Sequence, residues 1–294
     1  MTKYLFIVGT GRCGSSLVHE TLARHPDVGF LSNIDDRMGR FNLKGRFNNA
    51  LYSGIPQRLT RKGRVRFAPS EGYRILARQV SPMLVEPYRD LTDLDDTPWM
   101  GDRIRTFFEE RRRAQGKQVF LHKFTGWPRA RLIHHALDDV RFIHIVRDGR
   151  AVASSLIQMP WWSGFAGPDQ WRWGPLPGDL RSQWEESGSS WPALAGIEWR
   201  ILMDAYEATR EALPREAWLE LRYEDILSDP QASFDKMIEF AELGRSLKFT
   251  RALANQTFST ARATSFSSEL SAHDLDTLEV LIGSHLRRYG YESP

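Results

Sequence analysis

The chain has 294 residues, 41% hydrophobic and 26% charged, which excludes an intrinsically disordered protein and suffices for a full hydrophobic core. A formal net charge of +3 does not by itself indicate nucleic acid, and the single cysteine, Cys13, excludes an internal disulfide and a cysteine-based zinc site. No apolar run reaches the roughly 18 residues of a membrane span, and the first residues lack the features of a signal peptide, so a cytoplasmic protein is expected.

In chain order, residues 4–8 read as a buried strand, 15–24 as a helix and 28–31 as a weaker second strand. Helical spacing over 103–114 is followed by a strand over 118–122, a helix over 128–137, a strand over 141–146 and a helix over 149–158. Residues 196–213 are helical, 217–221 strand-like and 230–243 helical, and 271–289 close the chain as a helix with Ser271 as its N-cap. Strands alternating with helices predict an α/β fold with a parallel central sheet flanked by helices. A single domain over 1–294 is expected, with insertions at about 37–75 and 160–192, because no linker separates either segment from the core.

Gly9-Thr10-Gly11-Arg12-Cys13-Gly14-Ser15-Ser16 follows the first strand and opens a helix. Backbone N–H groups of such a loop, together with a helix N-terminus, form a cradle for phosphate. The spacing matches a Walker A loop except that Ser15 replaces its lysine; the alternative is an ordinary turn between strand and helix. A second candidate anion site is Arg147, at the end of the strand Phe142-Ile143-His144-Ile145-Val146, with Ser154 and Ser155 on the helix that follows. The alternative there is an Arg–Asp turn with capping serines.

Residues 8–17, followed by His25-Pro26, resemble the 5'-phosphosulfate loop of PAPS-dependent sulfotransferases (PAPS is 3'-phosphoadenosine 5'-phosphosulfate). The likeness is greatest to the branch of tyrosylprotein and bacterial carbohydrate and lipid sulfotransferases. It implies a P-loop-like sulfotransferase fold, PAPS as the sulfuryl donor and 3',5'-ADP as the product. It also implies that Gly11, Arg12, Cys13, Gly14, Ser15 and Ser16 hold the 5'-phosphate, that Arg147 and Ser155 hold the 3'-phosphate, and that Tyr223 lies near the adenine. Arg12 and Lys123 are the candidate cations for charge developing on the leaving phosphate.

The resemblance further implies a catalytic Glu just after the second strand, but Leu31-Ser32-Asn33-Ile34-Asp35-Asp36 has none. Asp35 is therefore the first candidate for the general base, with Glu71 and His122 as competitors; Asp35 and Asp36 are equally readable as loop or capping residues. The acceptor is expected to be a small-molecule, carbohydrate, lipid or phenolic hydroxyl, with no metal, no nucleic-acid partner and no membrane span. Trp161, Trp162, Trp171, Trp173, Trp184 and Trp191 either pack their own insertion or meet that acceptor. Two competing functions are a P-loop-like kinase or NTPase, which the missing loop lysine disfavours, and a non-catalytic nucleotide-binding protein.

Overall fold

Five short runs, apolar for most of their length, form one parallel sheet: β1 (Tyr4–Val8), β2 (Val28–Phe30), β3 (Val119–Lys123), β4 (Val140–Val146) and β5 (Trp218–Arg222), in the order β2-β3-β1-β4-β5. The computed structural model describes residues 1–38, 43–56 and 67–291. Each strand lies within one residue of its expected position, because strands buried on both faces keep nearly continuous hydrophobic sequences. Central β1 is fully buried and pairs with β3 on one side and β4 on the other, Tyr4 standing opposite Phe120 and Val140.

Alternation along β1 divides the core into two. Tyr4, Phe6 and Val8 face one layer, while Leu5 and Ile7 face the other. The helices, in chain order, are α1 (Ser15–Leu22), α2 (Asn33–Met38), α3 (Asn48–Gly54), α4 (Tyr73–Gln79), α5 (Pro98–Gln115), α6 (Ala130–Ala136), α7 (Gly149–Ile157) and α8 (Gly178–Glu186). They continue with α9 (Trp191–Ala212), α10 (Tyr223–Ser228), α11 (Pro230–Phe240), α12 (Leu247–Ala254), α13 (Ala261–Thr264), α14 (Phe266–Glu269) and α15 (Ala272–Arg288). Helices α4 to α7, α9 and α15 cover the Phe6 layer through Ile75, Phe108, Leu132, Val152, Trp199 and Ile282. Helices α1, α3, α10, α11 and α12 cover the other through Val18, Tyr52, Ile226, Phe234 and Phe249. Burying one such side chain contributes roughly 1.5–3 kcal/mol.

Three expectations are modified. Helix α5 begins earlier than expected, at Pro98 in its first turn, and stops at Gly116, whose φ of 59° suits a glycine C-cap. Helix α9 also begins early: the Ser190 side chain accepts from the Ala193 N–H, and Pro192 is tolerated in the first turn. The segment expected as an insertion at 37–75 contributes α3 and the start of α4; of it, residues 39–42 and 57–66 lie outside the described residues. The closing helix is capped as expected, Ser271 and Asp274 forming a reciprocal capping box. Among the described residues no helix is long and apolar enough to cross a membrane.

The parallel arrangement brings the C-terminal ends of β1, β3, β4 and β5 to one edge, where ligands of such sheets bind. The end of β2 is completed from a distance. The chain leaves at Ser32 and returns at Pro69, the two residues forming an antiparallel bridge. The Ser70 N–H donates to the Leu31 carbonyl at 2.8 Å, which carries Glu71 to the end of β2.

Candidate active site

The loop after β1 turns through left-handed backbone at Gly11 (φ 59°), Arg12 (56°) and Gly14 (91°) before α1 begins at Ser15. The first N–H groups of a helix lack intrahelical acceptors, so α1 presents donors at this point. Only glycine fits position 14: an added Cβ would lie 2.3 Å from two carbons of the Tyr223 ring. Gly14→Ala is expected to lower the unfolding temperature, since left-handed strain alone costs ~1 kcal/mol or more. Thermal unfolding of the variant beside the parent checks this.

Three arginines gather over the loop. Arg12 Nε donates to Ser155 Oγ at 2.9 Å. Arg147 donates to the carbonyls of Arg12 (2.8 Å) and Arg262 (2.6 Å), and its guanidinium stands 5.1 Å from the centre of the Tyr223 ring. The Arg147 Nε is buried and has no partner among the described residues. Burial and the nearby charges of Arg147 and Arg262 lower the Arg12 pKa. Like charges held together while partly desolvated form a site that an anion stabilises. Arg150, one turn away, is instead neutralised by Asp148 at 2.7 Å.

Beside this cluster, the Lys123 ammonium reaches Glu71 Oε1 at 2.7 Å and donates to Ser16 Oγ at 2.8 Å. The second Glu71 oxygen accepts from Thr125 Oγ1 at 2.9 Å and from the Tyr73 hydroxyl. Burial by itself would raise the Glu71 pKa. The Lys123 charge and the hydrogen bonds from Lys123, Tyr73 and Thr125 outweigh it, so the carboxyl titrates below its ordinary range.

Asp35, expected as the base, does not stand at this site. It is 1% exposed, and its Oδ2 accepts from the Ser32 N–H (2.7 Å), the Ser32 hydroxyl (2.9 Å) and Asn48 Nδ2 (2.6 Å). It holds the start of α2 and ties it to α3. Asp36 likewise accepts from the Arg74 and Ile75 N–H groups at the start of α4. The Cys13 thiol is fully buried, packed beneath Gly9, so Cys13 meets the loop through its backbone. Burial raises its pKa. His122 is fully buried among Phe6, Phe108 and Phe124, and burial depresses its pKa to about 3, so it stays neutral.

These groups line one cavity of about 1010 Å³, at the top of the range for a single small ligand and large enough for a donor beside an acceptor. The β1 loop, Lys123, Arg147, Ser155, Tyr223 and Arg262 line it, as do Glu71 and Tyr73. Trp127, Trp161, Trp162, Trp173 and Glu198 add an aromatic wall. Three of the six insertion tryptophans thus reach the cavity. Trp171 and Trp184 donate to the carbonyls of Gly174 and Ser190 within their own segment, and Trp191 is exposed at the start of α9. Tyr73, Thr125, Trp127 and Glu198 carry no role in the motifs legible in the sequence, while Arg262 stands in residues 257–268, the weakest part of the chain's match to the family. The nearest signal is a lone carboxylate in the apolar run Ala195-Gly196-Ile197-Glu198-Trp199.

A parallel sheet whose central strand delivers a glycine-rich loop into a helix N-terminus, with arginines over that loop, defines a P-loop-like α/β fold. The model of the sulfotransferase family matches residues 5–246, and the chain belongs to that family. Solved structures agree in fold. The sulfotransferase domain of the Synechococcus PCC 7002 olefin synthase is 19% identical, with a TM-score of 0.53 over 100% of this chain and 96% of that one. Sulfotransferase STF9 from Mycobacterium avium is 15% identical, with a TM-score of 0.59 over 99% of this chain and 78% of that one. STF1 from Mycobacterium tuberculosis is 14% identical, with a TM-score of 0.53 over 96% and 76%. No curated protein matches the chain significantly in sequence.

Proposed function

We propose that this sulfotransferase uses PAPS as its donor and transfers the sulfuryl group in line to an acceptor hydroxyl, with Glu71 as general base. The observation that carries the proposal is the opening of the arginine cluster and the Lys123–Glu71 pair onto one cavity. Backbone amides of residues 11–16 bind the 5'-phosphate. Arg147 and Ser155 take the 3'-phosphate, with Arg262 beside them, and the partnerless Arg147 Nε fits such an anion. Tyr223 lies under the nucleoside side of the loop, touching Gly14.

PAPS supplies an activated sulfuryl group whose bond to the 5'-phosphate breaks as the acceptor oxygen bonds to sulfur. Lys123 and Arg12 meet the negative charge that develops on the leaving phosphate. Glu71, ionised and oriented by Tyr73 and Thr125, accepts the hydroxyl proton. Transfer of this kind depends mainly on positioning and charge stabilisation, which a fixed set of hydrogen-bonded groups provides.

Two phosphate subsites predict that 3',5'-ADP raises the unfolding temperature well above the shift given by 5'-AMP at the same concentration. Equal shifts from the two nucleotides would remove the 3'-phosphate site. Transfer of labelled sulfate from PAPS to a panel of sugars, glycolipids, sterols and phenols then tests the reaction directly.

A further inference from the structure

Glu198, on α9, borders the cavity between the tryptophans of the 160–192 segment. It is 2% exposed, and its Oε2 accepts from Trp162 Nε1 at 2.9 Å, with Trp173 also on the cavity wall. No Lys, Arg or His among the described residues forms an ion pair with it. Most charged groups on the elements packed against α9 are paired elsewhere, Arg287 and Arg288 of α15 with Glu279 and Glu207. Arg150 of α7 pairs with Asp148, His285 of α15 with Asp204, Arg181 of α8 with Asp169, and Arg131 and His135 of α6 with Asp93 and Asp96. Arg200, on α9 itself, donates to Gln183 and the Leu281 carbonyl. Of the cavity's other cations, Arg129 donates to the carbonyls of Arg89 and Glu86, and Arg172, an exposed residue of the lining, forms no ion pair with Glu198.

A carboxyl taken out of water without a countercharge resists ionisation. Burial raises the Glu198 pKa to about 7, which the hydrogen bond from the Trp162 indole only moderates. A neutral ligand leaves that cost in place, whereas a cation removes it, and indole rings attract cations as well. We propose that Glu198, with Trp162 and Trp173, forms a subsite for a cationic amine or ammonium group on the acceptor. The assignment deepens the proposed function and rests on it for the acceptor's second group, the hydroxyl presented to Glu71.

The sign of the pH dependence follows. Below its raised pKa Glu198 is protonated and a bound ammonium must displace that proton; above it the carboxylate is already formed. Cation affinity therefore rises with pH, by about tenfold per unit below the pKa. Tyramine and 4-(2-hydroxyethyl)phenol are matched probes, differing in an ammonium against a hydroxyl. The 3',5'-ADP complex is titrated with each, following tryptophan fluorescence on both sides of pH 7.

The expected result is that tyramine binds more tightly as pH rises, while the hydroxyl probe binds weakly and without pH dependence. Glu198→Gln keeps the side-chain shape and a carbonyl acceptor for the Trp162 indole, and is expected to abolish both the preference for tyramine and its pH dependence. Equal affinity for the two probes above pH 7, including binding of neither, would overturn the proposal, as would an unchanged preference in Glu198→Gln. Nucleotide binding is measured separately on the same preparations. Absence of 3',5'-ADP binding, with the tyramine preference seen when the nucleotide-free protein is titrated, would count against the donor reading and not against this subsite.

Discussion

Glu71→Gln is expected to lower kcat by ~10²-fold or more while leaving 3',5'-ADP affinity unchanged. The carboxylate is ionised at neutral pH because Lys123, Tyr73 and Thr125 together outweigh its desolvation, so it is ready to receive a proton. The amide keeps the size of the side chain but has no basicity to offer. Asp35→Asn serves as the control. It replaces an oxygen that accepts from Ser32 and Asn48, so it is expected to lower thermal stability and to leave kcat of the folded enzyme near normal. A loss of turnover in Asp35→Asn at unchanged stability, with Glu71→Gln active, would return the base to α2.

The contrast between these two carboxylates marks where the sequence stops being legible. Central β1 and β4 stand out because both faces of the sheet are covered there, which leaves nearly continuous apolar runs, while β2 and half-buried β5 give weaker signals. The β1 loop and Arg147 are legible for a related reason: each directly follows a strand, so sequence neighbourhood and spatial neighbourhood coincide. Glu71 breaks that rule. It stands 41 positions after Phe30 in number and returns to the end of β2 only through the Ser32–Pro69 bridge, which no local pattern announces. Asp35 is near in sequence and turned inward, because the N-terminus of a short helix needs an acceptor there.

Other gaps have the same origin. Arg262 lies in a four-residue helix too short to show a period, and reaches Arg147 across 115 positions. Glu198 sits in a long amphipathic helix, where the spacing gives its face but not the cavity that the neighbouring tryptophans make. For Cys13 the loop spacing gives the position of the backbone, while the direction of the thiol depends on the fit beneath Gly9.

Lys123→Met is expected to lower kcat by ~10²–10³-fold, with 3',5'-ADP affinity nearly retained, because the ammonium acts on charge that appears during transfer. Met matches the length of the chain and tolerates the buried position, so the change isolates the charge. Loss of Lys123 has a second consequence through Glu71. The Lys123 charge is the strongest of the influences that lower the Glu71 pKa, and burial, which raises it, remains when the charge is gone. The Glu71 pKa therefore rises in Lys123→Met. Because Glu71 acts as a base only when ionised, the acid limb of the kcat/KM profile moves to higher pH in the variant. Glu71→Gln, by contrast, removes that limb. The two residues share a hydrogen-bonded ion pair, so Lys123→Met in the Glu71→Gln background is expected to cost less than it does alone. Additive losses with an unmoved acid limb would mean that Lys123 and Glu71 act independently, and that the pair is only a structural contact between β3 and the returning chain.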